Sequence, residues 1–247
     1  MINGLYTAAS GMLPRNIEQE IVSNNLANSA TNGFKKTDVF LRSLIDASSA
    51  LDRAMGRERQ NRPEYIRTDY TQGTFDATGM PLDLALNGPG FFKVRDAAGT
   101  DYYTRGGRFM LTPEGRVVSS SGMSLLDTRG NPITITGQAV AIMGDGTIEV
   151  DGETTVTLGM ADFDPKGYLG LENVGMGLFR KPAAVNEAAR NTGTQVLQGN
   201  LEDSNADTIR LMVDMIAISR TFEMGQKSIQ IQDQTLQRVV TELGVVR

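Results

Sequence analysis

The stretch DSNADTIRLMVDMIAISRTFEMGQKSIQIQDQTLQRVVTEL, residues 203–243, is the strongest indication of the fold that we expect for this chain. It contains no proline, and apolar residues recur in it every seven positions, as in a helix that packs along a partner helix. The residues of this seam are Met215, Phe222, Ile229, Leu236 and Leu243. A second, mixed seam contains Leu211, Ile218, Gly225, Gln232 and Val239. The spacing predicts a long C-terminal helix in a packed helical hairpin, and the alternative is an ordinary terminal helix that packs on its own domain.

The first 28 residues carry a matching pattern. Their apolar residues recur at steps of three to five and predict one stripe on a helix: Ile2, Leu5, Ala9, Met12, Leu13, Ile17, Ile21 and Leu26. Gly11 and Pro14 are positions where this helix could kink. A straight helix over residues 3–28 would be about 40 Å long, too long to be covered without a long partner. We therefore expect the two ends to pair with each other.

Between the two ends the pattern changes to short strands separated by turns. Leu82, Leu84 and Leu86 alternate with other residues, and two apolar runs flank Gly144-Asp-Gly146, a strong hairpin signal. The expected strands include residues 139–143, 147–150, 155–158, 169–171 and 195–197. The predicted fold class is α+β, with a discontinuous helical domain from paired N- and C-terminal helices and an inserted all-β domain. The predicted ranges are 1–34 with 201–247 for the helical domain, 35–71 for a connector and 72–200 for the β domain.

Composition excludes many kinds of enzyme. The 247 residues contain no cysteine, histidine or tryptophan. Thiolate metal sites, thiol nucleophiles and Ser-His-Asp catalysis are therefore impossible, and the usual general base near neutral pH is missing. The net charge of −5 argues against a nucleic-acid partner. No apolar run approaches the roughly 20 residues of a membrane span. We expect a non-enzymatic protein with no catalytic residues, no cofactor, no metal and no small-molecule substrate.

The acidic clusters have simpler explanations than chemistry. Asp145, Glu149, Asp151 and Glu153 lie near a turn but fail the pattern of a calcium-binding loop, so a solvated strand face explains them. Asp162 and Asp164 could be a carboxylate pair for glycoside cleavage, but a turn before Pro165 is the simpler explanation and the favoured one. Gly88-Pro-Gly90 is not a phosphate loop, and Gly90 gives the backbone the freedom to turn two aromatic residues into the core. Met212, Met215 and Met224 form either an adaptable contact surface or part of the core.

Three groups of motifs resemble the signatures of one family. At the N-terminal end these are Gly4-Leu-Tyr-Thr-Ala-Ala-Ser-Gly-Met12, Ser23-Asn-Asn-Leu-Ala-Asn28, Thr31 and Gly33-Phe-Lys35. In the middle they are Asp83-Leu-Ala-Leu-Asn-Gly-Pro-Gly-Phe-Phe92 and Tyr103-Thr-Arg-Gly-Gly-Arg-Phe109. Near the C-terminal end they are Gln198-Gly-Asn-Leu-Glu-Asp-Ser-Asn205, Met215-Ile216 and Arg220-Thr-Phe-Glu-Met224. In this order they resemble the bacterial flagellar basal-body rod and hook proteins, over essentially the whole chain.

The resemblance implies a structural subunit of the rod, which crosses the periplasm and transmits torque. It also implies export through the flagellar type III apparatus without a cleaved signal peptide, and helical assembly with copies of itself and other axial proteins. Members of this family pair their terminal helices in an inner tube and carry the β domain outside. The segment Arg220-Thr-Phe-Glu-Met224 is more similar to the proximal rod branch, with the distal rod protein as the alternative. Two rivals from other classes are a cell-wall carbohydrate-binding β protein and a soluble adaptor.

Two sets of residues follow as candidates. The predicted assembly interface comprises Leu5, Ala9, Met12, Ile17, Ile21, Leu26, Met215, Phe222, Ile229, Leu236 and Leu243. The residues that the resemblance singles out are Asn24, Asn25, Asn28, Gly33, Phe34, Gly90, Phe91, Phe92, Gly199, Ser204, Asn205, Arg220 and Glu223.

Overall fold

The computed structural model describes residues 2–40, 65–137, 139–183, 185–188 and 193–244. The chain is of the α+β class, as predicted. Its helices are α1 (Ile2–Ala27), α2 (Pro165–Gly170) and α3 (Thr208–Gly244). Its strands are β1 (Thr37–Phe40), β2 (Tyr65–Thr68), β3 (Phe75–Ala77), β4 (Leu84–Asn87), β5 (Phe91–Arg95), β6 (Asp101–Thr104), β7 (Phe109–Leu111), β8 (Val117–Ser119), β9 (Ser124–Leu125), β10 (Val140–Ile142), β11 (Thr147–Val150), β12 (Glu153–Thr157), β13 (Met160–Ala161), β14 (Glu172–Gly175), β15 (Leu178–Arg180), β16 (Gln195–Gln198) and β17 (Asn200–Glu202).

The chain divides into two compact units, each built from separate parts of the sequence. The helical unit contains α1, the antiparallel pair of β1 and β2, and α3. The β-rich unit contains residues 28–36 and 69–206. The chain therefore passes between the units after residues 27, 36, 68 and 206. The three ranges predicted from sequence divide the chain at other residues and stay a prediction, and residues 41–64 of the predicted connector lie outside the described residues.

Helix α3 begins where the sequence provides an N-cap. The Asp207 carboxylate accepts hydrogen bonds from the backbone N–H groups of Ile209 and Arg210, at 3.0 and 3.2 Å. An aspartate in this position satisfies amide donors that have no partner within the helix. The 37 residues that follow contain no proline, so the helix continues to Gly244.

The β-rich unit is built around one antiparallel sheet of eight strands. Seven of them follow the order β14-β15-β6-β5-β9-β8-β7, and β13 pairs with β5. Strands β10, β11 and β12 form a second sheet, while β16 pairs with β4 and β17 with β3. The last two pairings bring residues 195–202 beside residues 75–87. The end and the beginning of this unit are therefore held together by strand pairing.

Two cores fill the β-rich unit. The larger is mainly aliphatic and includes Leu84, Phe92, Val94, Ile148 and Leu158. The smaller is aromatic and contains Phe91, Tyr103, Phe163 and Phe179, with Tyr70 and Tyr168 packed against it. Phe91 and Phe92 are neighbours in β5 and enter different cores, because successive side chains of a strand point to opposite faces.

The structure confirms some predicted strands and corrects others. The predicted hairpin on either side of Gly144-Asp-Gly146 is formed by β10 and β11. A strand at residues 169–171 was wrong, because Pro165 favours the first turn of a helix and α2 occupies residues 165–170. The strand indicated by the alternation of Leu82, Leu84 and Leu86 is present as β4, where Leu84, Ala85 and Leu86 are all buried because both faces of the strand are covered.

Candidate assembly interface

Helices α1 and α3 pack along each other within the helical unit, at a point where one of them lacks a side chain. A Cβ atom built on Gly225 would lie 3.2 Å from Cγ of Met12 and 3.5 Å from its Sδ. Gly225 therefore allows α1 to approach α3 closely at Met12. The glycine that interrupts the second seam in the sequence therefore lies at a point of close approach between the two helices.

The residues predicted for the interface lie on the two helices as follows. Met12, Ile17, Ile21 and Leu26 on α1, and Met215, Phe222 and Ile229 on α3, are half-buried. Leu211, which shares this face of α3, is buried. Leu5 and Ala9 lie in α1, and Leu236 and Leu243 lie in α3, but their side chains fall outside the part of the chain that the structure describes. The half-buried seam of α3 is therefore used, at least at Gly225, to hold α1.

A second apolar stripe runs along α3 and is exposed. It consists of Ile209, Met212, Val213, Ile216, Met224 and Ile231, whose exposed fractions range from 50 to 76%. We call these six residues the outer stripe. At about 100° per residue they lie on the side of the helix opposite the seam that contains Met215 and Phe222. Arg220 and Lys227 are exposed at the same helical angles, so the outer stripe also carries two cations.

The sequence reading named only part of this outer stripe. Met212 and Met224 belong to the possible contact surface of methionines, and both are at least half exposed, whereas Met215 is half-buried. The other four residues of the outer stripe lie outside the predicted seven-residue repeat. The spacing of 209, 213 and 216, followed by 224 and 231, is a second helical repeat in the same stretch. This second repeat is the feature of the sequence that could have predicted the outer stripe.

The asparagines at the end of α1 have different surroundings. Asn25 is buried and pairs with Thr37 at the start of β1 through two hydrogen bonds. Its Nδ2 donates to the Thr37 carbonyl at 2.7 Å, and its Oδ1 accepts from the Thr37 N–H at 2.9 Å. Asn28, in the β-rich unit, accepts a long 3.4 Å hydrogen bond from the Thr31 hydroxyl. Asn24 is exposed.

The motif glycines lie where the backbone needs them. Gly33 has a φ of +71°, and a Cβ there would clash with the backbone carbonyl carbon of Arg105. Gly90 has a φ of +114°, and its N–H donates to the Tyr168 hydroxyl at 3.1 Å. Gly199 also has a positive φ. The freedom expected of Gly90 ahead of two buried aromatic residues is confirmed.

Asn205 connects three segments that enter or leave the β-rich unit. Its Oδ1 accepts a hydrogen bond from the Lys36 N–H at 2.8 Å. Its Nδ2 donates to the carbonyls of Asp69 and Thr71, at 2.8 and 3.2 Å. The chain passes between the two units at four places, and Lys36, Asp69 and Asn205 itself each lie next to one of them. The Asn205 side chain therefore connects the chain at three of these four places. Its neighbour Ser204 accepts a hydrogen bond from the Ala206 N–H.

Beside Asn205 lies a buried cluster of three charges, which we call the ion cluster. Nζ of Lys35 lies 2.5 Å from Oε1 of Glu202, and Nη1 of Arg105 lies 3.1 Å from Oε2. All three residues are buried. Arg105 also donates to the carbonyls of Leu86 and Gly88. Burial lowers the pKa of the Lys35 amino group, although the adjacent Glu202 acts in the opposite direction.

Sequence reading did not single out the ion cluster, although all three residues stand in the motifs quoted for the resemblance. Each charge lies in a different motif: Lys35 after Gly33-Phe, Arg105 before a glycine pair, and Glu202 after Leu201. The presence of one charged residue in each of three motifs is the feature of the sequence that could have indicated the ion cluster. Phe34, next to Lys35, is also buried, and its carbonyl accepts a 3.4 Å hydrogen bond from the Asn205 N–H.

The acidic residues considered for chemistry have structural roles. Asp162 accepts hydrogen bonds from the Tyr168 hydroxyl and the Phe163 N–H, both at 2.8 Å. Asp151 accepts from the Ala139 N–H and occupies the turn between β11 and β12. Among the described residues, no group of three or more acidic side chains is arranged to hold a metal ion. No helix in the described part of the chain is long and apolar enough to cross a membrane.

Known proteins match this chain along almost its whole length. Three family models match: the flagella basal body rod protein at residues 5–35, the flagellar hook protein FlgE/F/G D1 domain at 85–156, and the flagellar basal body rod FlgEFG protein C-terminal at 197–242. The three members of the ion cluster fall one in each match.

Individual relatives carry two names. A flagellar basal-body rod protein FlgG from Buchnera aphidicola subsp. Acyrthosiphon pisum is 33% identical, over 97% of this chain and 99% of its own. A flagellar basal-body rod protein FlgF from Caulobacter vibrioides is 32% identical, over 100% of both chains. FlgG from Bacillus subtilis is 30% identical, over 97% of this chain and 98% of its own. These identities are too similar to separate the two names.

Proposed function

Because this chain belongs to the flagellar basal-body rod protein family, whose members are structural proteins of the basal body and not enzymes, we propose that it builds the rod by helical self-assembly through its terminal helices. The subunit would then be one repeating element of the torque-transmitting shaft. Its partners are copies of itself and other axial proteins of the rod and hook.

The observation that carries this proposal is that α3 has two apolar faces. One face contains Gly225 and packs against Met12 of α1, while the outer stripe on the opposite side is exposed. Fully burying one Val, Ile or Met side chain contributes about 1.5–3 kcal/mol, so a neighbour that covers the outer stripe would stabilise a polymer substantially. A surface that binds a different surface on the next copy propagates as a helix and does not close.

The terminal helices form the assembly domain in this proposal. The idea behind the predicted helical domain of residues 1–34 with 201–247, that both ends of the chain build one domain, is supported by the packing of α1 on α3 and by their grouping in one compact unit, which contains residues 1–27 and 207–247. The predicted connector, residues 35–71, would join it to the predicted β domain of residues 72–200. The predicted interface residues then hold α1 against α3, while the outer stripe, whose six residues are not among them, meets the neighbouring subunit.

The second requirement of a shaft is that each subunit resists twisting. Asn205 joins the chain at residues 36, 69 and 71, and the ion cluster joins Lys35, Arg105 and Glu202. These contacts fix the segments through which the chain enters and leaves the β-rich unit. A load applied to one end of such a segment is therefore shared by several strands. This is how the fold would support torque transmission.

The position of the subunit within the rod is inferred from one short segment of α3. The segment Arg220-Thr-Phe-Glu-Met224 favours the proximal rod, with the distal rod as the alternative. Arg220 and Glu223 are both exposed on α3, where they can contact a neighbour. Export through the flagellar type III apparatus without a cleaved signal peptide would deliver the subunit to the periplasm.

An assembly measurement tests the proposal. The full chain is purified, concentrated, and followed by light scattering and negative-stain electron microscopy, with and without isolated rod fragments as templates. Polymers are expected from the natural chain, whereas Ile216→Ser, which removes one apolar group from the outer stripe, is expected to weaken or prevent assembly. A natural chain that stays monomeric even on templates would refute the proposal. Assembly of Ile216→Ser at the natural rate would refute the role of the outer stripe.

A further inference from the structure

A cavity in the β-rich unit lies between two hairpins from opposite edges of the main sheet. Its volume is about 240 Å³. Ser119, Ser120 and Ser121, next to the β7–β8 hairpin, line one side, and Met176 and Leu178 of the β14–β15 hairpin line the other. Strands β7 and β14 are the two edge strands of the sheet order. The cavity is therefore lined by residues next to both edge strands of the sheet.

The polar side of the cavity offers hydrogen-bond donors and no carboxylate. Arg108 and Asn32 line it together with the serines. The Arg108 guanidinium has no ion pair or hydrogen bond with any residue in the described ranges, and Ser119 and Ser121 bond to each other at 2.9 Å. No aspartate or glutamate lines the cavity, within the part of the chain that the structure describes. Arg108 is exposed, and an exposed guanidinium beside hydroxyl and amide donors favours an anion whose oxygen atoms it can bind in pairs, a carboxylate or a phosphate.

The volume of the cavity and its apolar side restrict the chemical class of the ligand further. Pockets for small-molecule ligands usually measure about 300–1,000 Å³, so this cavity suits a single side chain better than a sugar or a nucleotide. Met176 and Leu178 supply an apolar wall opposite the donors. An acidic side chain has both properties, because its methylene groups can contact this wall while its carboxylate faces Arg108.

Methionine is an unusual residue for the left-handed backbone conformation that position 176 adopts. It has a φ of +53° and lies, with Gly177 at +71°, in the two-residue turn between β14 and β15. Asparagine or aspartate is usual at such a position, as at Asp151 in the turn between β11 and β12. A left-handed conformation costs a residue such as methionine about 1–2 kcal/mol. The turn requires this backbone conformation, but Met176 is 77% exposed, so packing within the chain does not explain why a methionine occupies the position.

We propose that this Arg108 pocket receives a glutamate or aspartate side chain from a second copy of this chain, with Met176 packing against the docked segment. The second-copy source rests on the proposed self-assembly, whereas the carboxylate chemistry rests on the pocket alone. The chain contains 29 acidic and 24 basic residues, so each copy has a surplus of carboxylates to present. The contact would lie on the β-rich unit and would be separate from the outer stripe of α3.

A titration of the full chain tests the carboxylate chemistry. The probe is N-acetyl-glutamate methylamide, the control probe is its glutamine counterpart, and the readout is the nitrogen-15 NMR signals of the Arg108 Nε–H and the Ser120 amide. Saturable shifts are expected with the glutamate probe alone, and Arg108→Gln is expected to reduce its affinity at least tenfold. Arg116→Gln removes an exposed arginine outside the cavity and should leave binding unchanged. Equal shifts with both probes, no saturation, or unchanged binding by Arg108→Gln would overturn the proposal.

A cross-linking experiment tests the source of the carboxylate. Because the chain contains no cysteine, Ser120→Cys provides one unique thiol for a benzophenone maleimide. Irradiation of assembled chains is expected to link position 120 to an acid-containing peptide of another copy, identified by mass spectrometry. Assembled chains without an intermolecular link would overturn the second-copy source. If the chain never assembles, the proposed function and this source both fail, while the titration still decides whether the pocket binds a carboxylate.

Discussion

Lys35 and Glu202 are separated by 167 residues in the sequence, and their side chains form an ion pair of 2.5 Å that is almost completely shielded from solvent. Arg105 shares the same carboxylate, so the ion cluster holds two cations and one anion. Removing the glutamate leaves two buried positive charges side by side. Removing the lysine leaves one cation and one anion that still neutralise each other.

This asymmetry predicts different costs for the two substitutions. Glu202→Gln should lower the free energy of unfolding by about 3–5 kcal/mol, the usual cost of leaving buried charges unpaired. Lys35→Met should cost about 1–3 kcal/mol, mainly because the Thr71 carbonyl loses the hydrogen bond that Lys35 donates. Urea unfolding followed by circular dichroism measures both. Glu153→Gln, at an exposed position, is the control. A larger loss for Lys35→Met than for Glu202→Gln would contradict the charge argument.

A second prediction concerns pH and the carboxylate of Glu187. Burial on its own would raise the pKa of Glu187, but hydrogen bonds from Lys93 and Tyr103 outweigh burial and hold this pKa below its usual value of 4.5. A carboxyl group whose pKa is lower in the folded state stabilises the fold at higher pH. That contribution is lost as the pH falls below about 4.5 through the lowered pKa. The urea midpoint of the natural chain should therefore decrease between pH 6 and pH 3.

Glu187→Gln isolates this contribution. Its urea midpoint should be lower than that of the natural chain at pH 6, and the gap should narrow as the pH decreases to 3. Glu153→Gln again provides the comparison, since it removes an exposed carboxylate with no ion pair in the described part of the chain. A gap that stays constant over this pH range would show that Glu187 acts through packing and not through its charge.

The sequence predicted those parts of the fold that depend on local pattern. Helices α1 and α3 have apolar residues at regular spacing, and the hairpin of β10 and β11 has a distinctive turn. All three elements are present in the structure. The strand predicted at residues 169–171 failed because apolar residues flanking a glycine fit a helical turn equally well, and Pro165 favoured the helix. The packing between distant strands, such as β17 on β3, has no local pattern and could not be predicted.

The candidate interface likewise contains some features that the sequence predicts and others that it does not. Gly90, Phe91 and Asn25 had recognisable motifs, yet no spacing revealed that Asn25 would pair with Thr37. The ion cluster depends on three positions that only the folded chain brings together. The outer stripe was overlooked for a different reason: a helix with two apolar faces has no single amphipathic direction, so a search for one seam stops at the first.

A third prediction tests the close approach of α1 and α3 at Gly225. Alanine there would place a methyl group 3.2 Å from Cγ of Met12, a flexible side chain that can move, and alanine favours a helix by about 1 kcal/mol over glycine. Gly225→Ala should therefore change the stability of the helical unit by less than about 1 kcal/mol. Gly225→Leu adds atoms that Met12 cannot avoid, and should lower the helical signal in circular dichroism at the same temperature. Equal behaviour of the two variants would show that the helices do not approach closely here.

The two faces of α3 should also respond differently to substitution. Phe222→Asp puts a carboxylate on the half-buried seam, so it should reduce helical content in the monomer and abolish assembly, because transferring a charge from water to an apolar surface is costly. Ile216→Ser changes the exposed outer stripe, so it should leave the helical signal of the monomer unchanged while raising the critical concentration for assembly at least tenfold. Gln226→Ser, at an exposed position away from the outer stripe, should assemble normally. Circular dichroism of dilute chains and sedimentation of concentrated ones separate the two effects. If Ile216→Ser lost helix in the monomer, or if Phe222→Asp assembled, the assignment of an inner face to α1 and an outer face to the neighbouring subunit would be wrong.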